Sequence, residues 1–316
     1  MATALFSHPA CIEHDAGDWH PERPDRLRAV LAALEAPAFA PLLRETAPQA
    51  TREQLLLAHP AGYVDAILAI RPGPGELVQL DADTAMNAGS AEAALRAAGA
   101  AVAAVDAVME GTAQSAFAAV RPPGHHAEPA RPMGFCLFNN AAVAALWARA
   151  RYGLRRIAVV DFDVHHGNGT QAMFQADPDL FYASSHQSPC YPGTGQTHER
   201  GCADNVINAT LAPGAGGIVF RAAWAGTILP VLESFAPELL IVSAGFDAHK
   251  ADPLAQLRLE TEDFAWITDE LVTLAKRQTS GRIVSVLEGG YDLDALAASV
   301  AAHVRGLMRG LTETAA

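Results

Sequence analysis

The sequence predicts an α/β fold, a single-domain open parallel sheet flanked by helices. Three observations lead there. Short β-branched or aromatic runs recur at 115–120, 157–162, 180–184, 239–243 and 283–287, with the unbroken apolar character of strands buried on both faces. Helical patterns lie between many of them, and strands alternating with helices build parallel sheets. No linker, charge block or repeat divides residues 1–316, so one domain is expected over the whole chain.

The elements follow in order. Residues 25–34 and 62–70 carry helical patterns, and the Pro/Gly cluster at 71–75 reads as a surface loop. Residues 91–109 are alanine-rich, and alanine has the highest helix propensity. Further helices are expected at 140–149, 218–233, 262–276 and 293–308, interleaved with the later strands.

Composition bounds the function. Half of the residues are hydrophobic (50%), enough for a large core. No uninterrupted apolar run reaches the ~18 residues of a membrane span. The first residues lack a basic segment followed by a long apolar one, so neither a secretory signal nor a membrane association is expected. The cysteines Cys11, Cys136, Cys190 and Cys202 match no zinc ribbon or dense disulfide framework. They are expected to be reduced, in the cytoplasm. A net charge of −13 disfavours direct nucleic-acid binding. The same charge suits solubility and could draw in cationic substrates such as lysine-rich peptides or polyamines. Oligomeric state is not readable from the sequence.

Unusual polar residues gather at strand ends. Arg121-Pro-Pro-Gly-His-His126 follows the first run, Asp161-Phe-Asp-Val-His-His166 closes the second, Ala244-Gly-Phe-Asp247 follows the fourth and Glu288-Gly-Gly-Tyr291 the fifth. Sites in open parallel sheets form beyond the carboxyl ends of strands, so these segments are expected to converge. In extended chain, residues two apart face one side. Asp161, Asp163 and His165 can therefore converge while Phe162 and Val164 pack the other way. A carboxylate and an imidazole at that spacing can hold one metal ion, with Asp247 as the expected third ligand. Such a three-ligand site keeps positions open, as metal-assisted hydrolysis requires. His125 and His126 suit general acid–base work near neutral pH. Tyr291 could donate a hydrogen bond to a developing oxyanion.

These residues carry a family resemblance. The segments above, with Gly134-Phe-Cys-Leu-Phe-Asn-Asn140, 161–170, Tyr191-Pro-Gly-Thr-Gly195, 244–254 and the early His20-Pro-Glu-Arg-Pro24, resemble the successive motifs of zinc-dependent histone deacetylases, from about His14 to Leu296. That family includes bacterial acetylpolyamine and other acyl-amide hydrolases. The resemblance implies an arginase/deacetylase-like fold. It implies one catalytic Zn2+ held by Asp163, His165 and Asp247. It makes His126 the general base and then acid, pairs His125 with Asp161, and sets Tyr291 to polarise the substrate carbonyl. Gly134 and Phe135 would line one wall of an acyl-lysine tunnel. Tyr191 or its neighbour Cys190 would line the other, with Leu254 as gatekeeper and Gly289 beside the substrate. A K+ would sit under the zinc strand, held by Asp161, Asp163, His165, Ser184 and Ser185. An O,O,N ligand set also accepts Fe(II), Co(II) or Mn(II), and the resemblance alone selects zinc.

Asn168 departs from one branch of the family, which has an aspartate behind the second histidine. Together with Glu288-Gly-Gly-Tyr291 it looks like the class II branch. An amide holds a charged imidazolium less strongly than a carboxylate, so a lower His126 pKa is expected. The implied partner is an acylated amine, either a protein lysine or a small molecule. The apolar Leu254 favours acyl-lysine over acetylpolyamine. A binuclear manganese ureohydrolase would need two more bridging carboxylates, where Gly167 and His249 stand. A non-catalytic binding module would be expected to have lost a ligand, a paired histidine or the tyrosine, and all are retained.

Overall fold

Eight strands lie side by side in one sheet, and every pairing in it is parallel. The structure is a computed structural model and describes residues 2–310. The strands are β1 (Thr3–Ser7), β2 (Leu43–Thr46), then β3 (Val78–Gln79) and β4 (Ala85–Met86), which form a separate antiparallel hairpin, β5 (Ser115–Ala118), β6 (Ile157–Asp161), β7 (Leu180–Gln187), β8 (Val206–Leu211), β9 (Leu239–Ala244) and β10 (Ile283–Leu287). The order across the large sheet is β2-β1-β5-β10-β9-β6-β7-β8. The four strands whose ends carry the unusual polar residues, β5, β10, β9 and β6, are therefore contiguous at its centre. Register aligns them closely: Asp161 pairs with Ser243, Ser243 with Val286, and Val286 with Ala118.

Helices cover both faces, so the central strands read as continuous apolar runs. One layer is Ser90–Met109 and Asn140–Tyr152, which pack on each other and on β1, β5, β6, β9 and β10. Its alanines allow close approach: Ala97, Ala100, Ala101, Ala104, Ala141, Ala144 and Ala145 are fully buried. Asn139 caps the second of these helices by accepting from the Ala142 N–H, and Gly153 ends it in the left-handed region. The other layer holds Pro24–Ala33, Thr261–Gln278 and Leu293–Arg309. Asp292 caps the last helix, which fixes the chain immediately after Tyr291.

Several expectations are corrected. The helix expected at 218–233 is Gly217–Ala223 and Leu229–Phe235 joined by a π-turn at Trp224–Ile228. Pro230 has no N–H to give the preceding turn and crowds its carbonyl, which a wider turn relieves. This stretch is long and apolar enough by composition to cross a membrane, with a mean hydropathy of 1.3. It interrupts its apolar run with Arg221 and Glu233, and it packs on the sheet through Phe220, Trp224, Ile228 and Leu232. The strand expected at 180–184 continues to Gln187, because its polar end Ser184-Ser-His-Gln187 is buried rather than exposed. β1, β2 and β8 were not expected. β2 shows no apolar pattern at all, since its residues are exposed and it joins the edge by backbone pairing to β1.

Candidate active site

Residues from the central strand ends converge as the alternation rule requires. Phe162 and Val164 enter the core, while Asp161, Asp163 and His165 face the site. His165 Nδ1 lies 3.1 Å from Asp163 Oδ1 and 3.1 Å from Asp247 Oδ2. One ligand atom from each of Asp163, His165 and Asp247 falls within 4.8 Å of the others, and all three residues are buried. Asp161 does not join them. Its Oδ1 accepts from the Asp163 N–H, and its Oδ2 meets His125 Nδ1 at 2.9 Å and the Tyr182 hydroxyl at 3.2 Å.

The electrostatics of the trio call for a cation. Burial and the neighbouring Asp163 push the Asp247 carboxyl up to about 7. Burial opposes charge on His165, yet the hydrogen bonds it makes to Asp163 and Asp247 raise it well above the ordinary imidazole value. Two buried carboxylates facing one imidazole nitrogen gain a positive charge as a proton or as a metal ion. The donor set therefore fits one divalent ion held by two oxygens and a nitrogen.

The backbone leaves no room to spare. A Cβ on Gly289 would stand 2.1 Å from Asp247 Oδ2 and 2.6 Å from Asp163 Oδ2, and the Gly289 N–H donates to Asp163 Oδ2 at 2.9 Å. Gly134 adopts φ +56, and a Cβ there would meet the His126 ring at 2.4 Å.

The histidines divide into two environments. Burial disfavours charge on His125, but Asp161 and Asp163 win and raise it to about 10, so it is cationic at neutral pH. Burial, then His125 and His165, hold His126 well below the ordinary imidazole value, so it is neutral. The rings lie 4.0 Å apart, and His126 Nδ1 meets Asn168 Oδ1 at 2.8 Å. The Asn168 hydrogen bond raises the His126 value rather than lowering it; burial is the leading cause of the fall.

A cavity of about 220 Å³ opens onto this centre, lined by Asp83, His126, Gly134, Phe135, His165, Tyr191, Leu254 and Tyr291. Gly134, Phe135, Tyr191 and Leu254, the residues expected at a tunnel wall, all line this one cavity. Cys190 and Gly289 do not line it: Cys190 turns towards His165, and Gly289 lies against the carboxylates. No described residue hydrogen-bonds the Tyr291 hydroxyl. Ser184 and Ser185 face opposite sides of β7, as neighbours on a strand must. The Ser184 hydroxyl meets His186 Nδ1 at 2.9 Å, whereas the Ser185 hydroxyl accepts from Trp224 Nε1 at 2.9 Å. Only the main chain of Ser185 could join an ion site.

Sequence reasoning missed the frame around Tyr291. Arg26 donates to the Gly290 and Glu288 carbonyls, each at 2.5 Å, and its guanidinium lies 4.8 Å from the Tyr291 ring centroid. Glu22 pairs with Arg26 at 2.9 Å and with Arg121 at 2.5 Å, all fully buried. Burial works against the Glu22 charge, but Arg121 and its other partners hold the carboxyl well below its usual range. Glu288 Oε2 accepts from the N–H groups of Gly124 and His125, and Asp252 Oδ2 accepts from the Tyr291 N–H at 2.7 Å. Asp83 was missed too; it accepts from the Gly134 N–H at 3.2 Å on the hairpin beside the cavity. The one available signal was His20-Pro-Glu-Arg-Pro24, a charged segment set at a helix start.

Comparison with known proteins agrees with this geometry. Residues 20–307 match the histone deacetylase domain family. The chain belongs to the histone deacetylase family. It is 39% identical to a histone deacetylase-like amidohydrolase of Pseudomonas aeruginosa, over 92% of this chain and 81% of that one. It is 37% identical to the chloroplastic histone deacetylase 14 of Arabidopsis thaliana, over 97% of this chain and 77% of that one. The crystal structure of the HDA15 HD domain superposes with a TM-score of 0.92 at 35% identity, covering 99% of this chain and 90% of that one. Family membership makes the chain a hydrolase-family protein with the deacetylase fold.

Proposed function

We propose that this protein hydrolyses N-acyl amines, acetyl-lysine in proteins or peptides above all, to a carboxylate and a free amine. One observation carries the reading: His126, His165 and Tyr291 face a single cavity whose walls are Phe135, Tyr191 and Leu254. Zn2+ held by Asp163, His165 and Asp247 would polarise the acyl carbonyl and acidify the attacking water. His126 Nε2 takes the water proton as the oxygen attacks the acyl carbon. The Tyr291 hydroxyl donates to the oxyanion that develops on the former carbonyl oxygen. His126 then gives its proton to the amine nitrogen as the C–N bond breaks. His125, charged and paired with Asp161, adds positive potential beside the developing oxyanion. Arg26 and Asp252 hold the Tyr291 segment from either side.

A K+ under the zinc strand belongs to the same reading. No described residue hydrogen-bonds the carbonyls of Asp163 and His165, which leaves both oxygens available beside Asp161 and Ser184. The reading takes 1–316 as one catalytic domain. Asp83, beside the cavity mouth, favours a substrate with a positive or N–H-rich body, which also admits acetylpolyamines. Kinetics on acetyl-lysine peptides, acetylputrescine, acetylspermidine and longer acyl-lysines, side by side, test the assignment. A kcat/KM highest on the acetyl-lysine peptides is expected. Preference for an acetylpolyamine would move the substrate class, and no turnover of any acyl amine by zinc-loaded protein would overturn the reading.

A further inference from the structure

An asparagine behind an imidazole has a donor end and an acceptor end. The end facing the ring decides which ring nitrogen carries the proton. Here Asn168 presents Oδ1 to His126 Nδ1 at 2.8 Å. Its Nδ2 points the other way, to Glu128 Oε1 at 2.9 Å, with Met133 Sδ at 3.3 Å and the His126 carbonyl at 3.5 Å. All three of these neighbours are acceptors. Reversing the amide would set its oxygen against the Glu128 carboxylate, acceptor against acceptor, with Asn168 buried and Glu128 half-buried, and such an unmade hydrogen bond is costly. Glu128 is itself held. Its main chain bridges to Arg131, and the next carbonyl, Pro129, meets His59 Nδ1 at 3.0 Å.

We propose that Glu128 is a positioning residue: it locks the Asn168 amide, and through it the Nδ1–H tautomer of His126. The inference rests on His126 as the proton acceptor proposed above. With Nδ1 donating to Asn168, the Nε2 lone pair is left for the cavity, where a water proton must be taken. Without Glu128 the amide loses the shortest of the contacts that aim its N–H2 outward, leaving only the long ones to Met133 Sδ and the His126 carbonyl, and it can turn. Its N–H2 then donates to Nδ1, and the ring carries its proton on Nε2, where it can no longer act as a base. The carboxylate that another branch of the family sets directly behind this histidine is moved outward here by one amide.

The chemistry predicts a rescue that a merely structural contact would not show. Glu128→Ala should lower kcat by ~10–100-fold, the scale on which outer partners of metal-site groups act, with KM and zinc content unchanged. Glu128→Gln keeps an acceptor for Asn168 and should stay within a few-fold of the parent. Asn168→Asp sets two carboxylates in contact and should lose activity, and Glu128→Gln added to it should recover activity by supplying an amide donor. Long-range 1H–15N correlation on 15N-histidine protein, assigned with His126→Gln, reads the tautomer without turnover. It should show Nδ1–H in the parent and Nε2–H appearing in Glu128→Ala. A parent-like kcat and tautomer in Glu128→Ala, or no rescue in the double variant, overturns the proposal. If the parent hydrolyses no acyl amine, the function reading fails, while the tautomer measurement still decides this one.

Discussion

Gly289→Ala tests the placement of the metal-site carboxylates. The added methyl would stand 2.1 Å from Asp247 Oδ2, where ordinary contact begins at 3.4 Å. The Asp247 carboxylate must then retreat by more than an ångström to reach ordinary contact, and Asp163 Oδ2, 2.6 Å away, by somewhat less than one. Asp163 and Asp247 are fully buried among packed strands, so the retreat cannot be absorbed by solvent. A misplacement of ~1 Å at a reacting centre can cost ~10²-fold in rate, and zinc affinity should fall by at least a similar factor. The assay is zinc competition against a chromophoric chelator, followed by kcat/KM on an acetyl-lysine reporter. Far-ultraviolet circular dichroism checks that the sheet persists. Gly62→Ala is the control, since nothing lies within 4 Å of a Cβ there, and its zinc affinity and turnover should match the parent. Parent-like zinc affinity in Gly289→Ala would refute the assignment of these carboxylates as ligands.

Three other outcomes are expected. Tyr291→Phe should lower kcat by ~10²–10³-fold, the scale of one lost oxyanion donor, with zinc content intact; near-parent turnover sinks the role given to its hydroxyl. Glu22→Gln leaves the buried Arg26 and Arg121 without their counter-charge and should cost ~3–5 kcal/mol in urea unfolding; a loss under ~1 kcal/mol would show that the network does not carry a buried charge. His303 is held down at about 3 by burial, against an ordinary 6.5. Its folded value lies below its unfolded one, so the unfolded chain binds the proton first and stability falls as pH drops through that window. From pH ~6.5 to ~5 this group alone removes ~2 kcal/mol. His303→Leu should therefore show a shallower pH slope of unfolding than the parent, and equal slopes would contradict the argument.

Much of the site was legible because its residues are local to strand ends. Asp163 and His165 share one extended segment, so their convergence follows from chain geometry over two residues. Asp247 and Tyr291 were legible at one remove, since both follow strands and open parallel sheets gather such ends. Asp161 shows the limit. Alternation correctly put it on the same face as Asp163, but the trio alone could not say that His125 would claim its carboxylate at 2.9 Å. The same limit applies to Ser185, whose hydroxyl was drawn off by Trp224 in a distant helix.

The amino-acid sequence by itself determined the parallel sheet, its helical cover and the segments that bear the chemistry. Those properties are written in short-range periodicity and in residues that only a site explains. The tertiary structure alone decided the charge state and aim of each group. Glu22 meets Arg121 across 99 residues, Arg26 reaches Gly290 across 264, and Glu128 reaches Asn168 across 40. Burial sets whether such a contact raises or lowers a pKa, and burial is a property of the packed whole that no local pattern encodes.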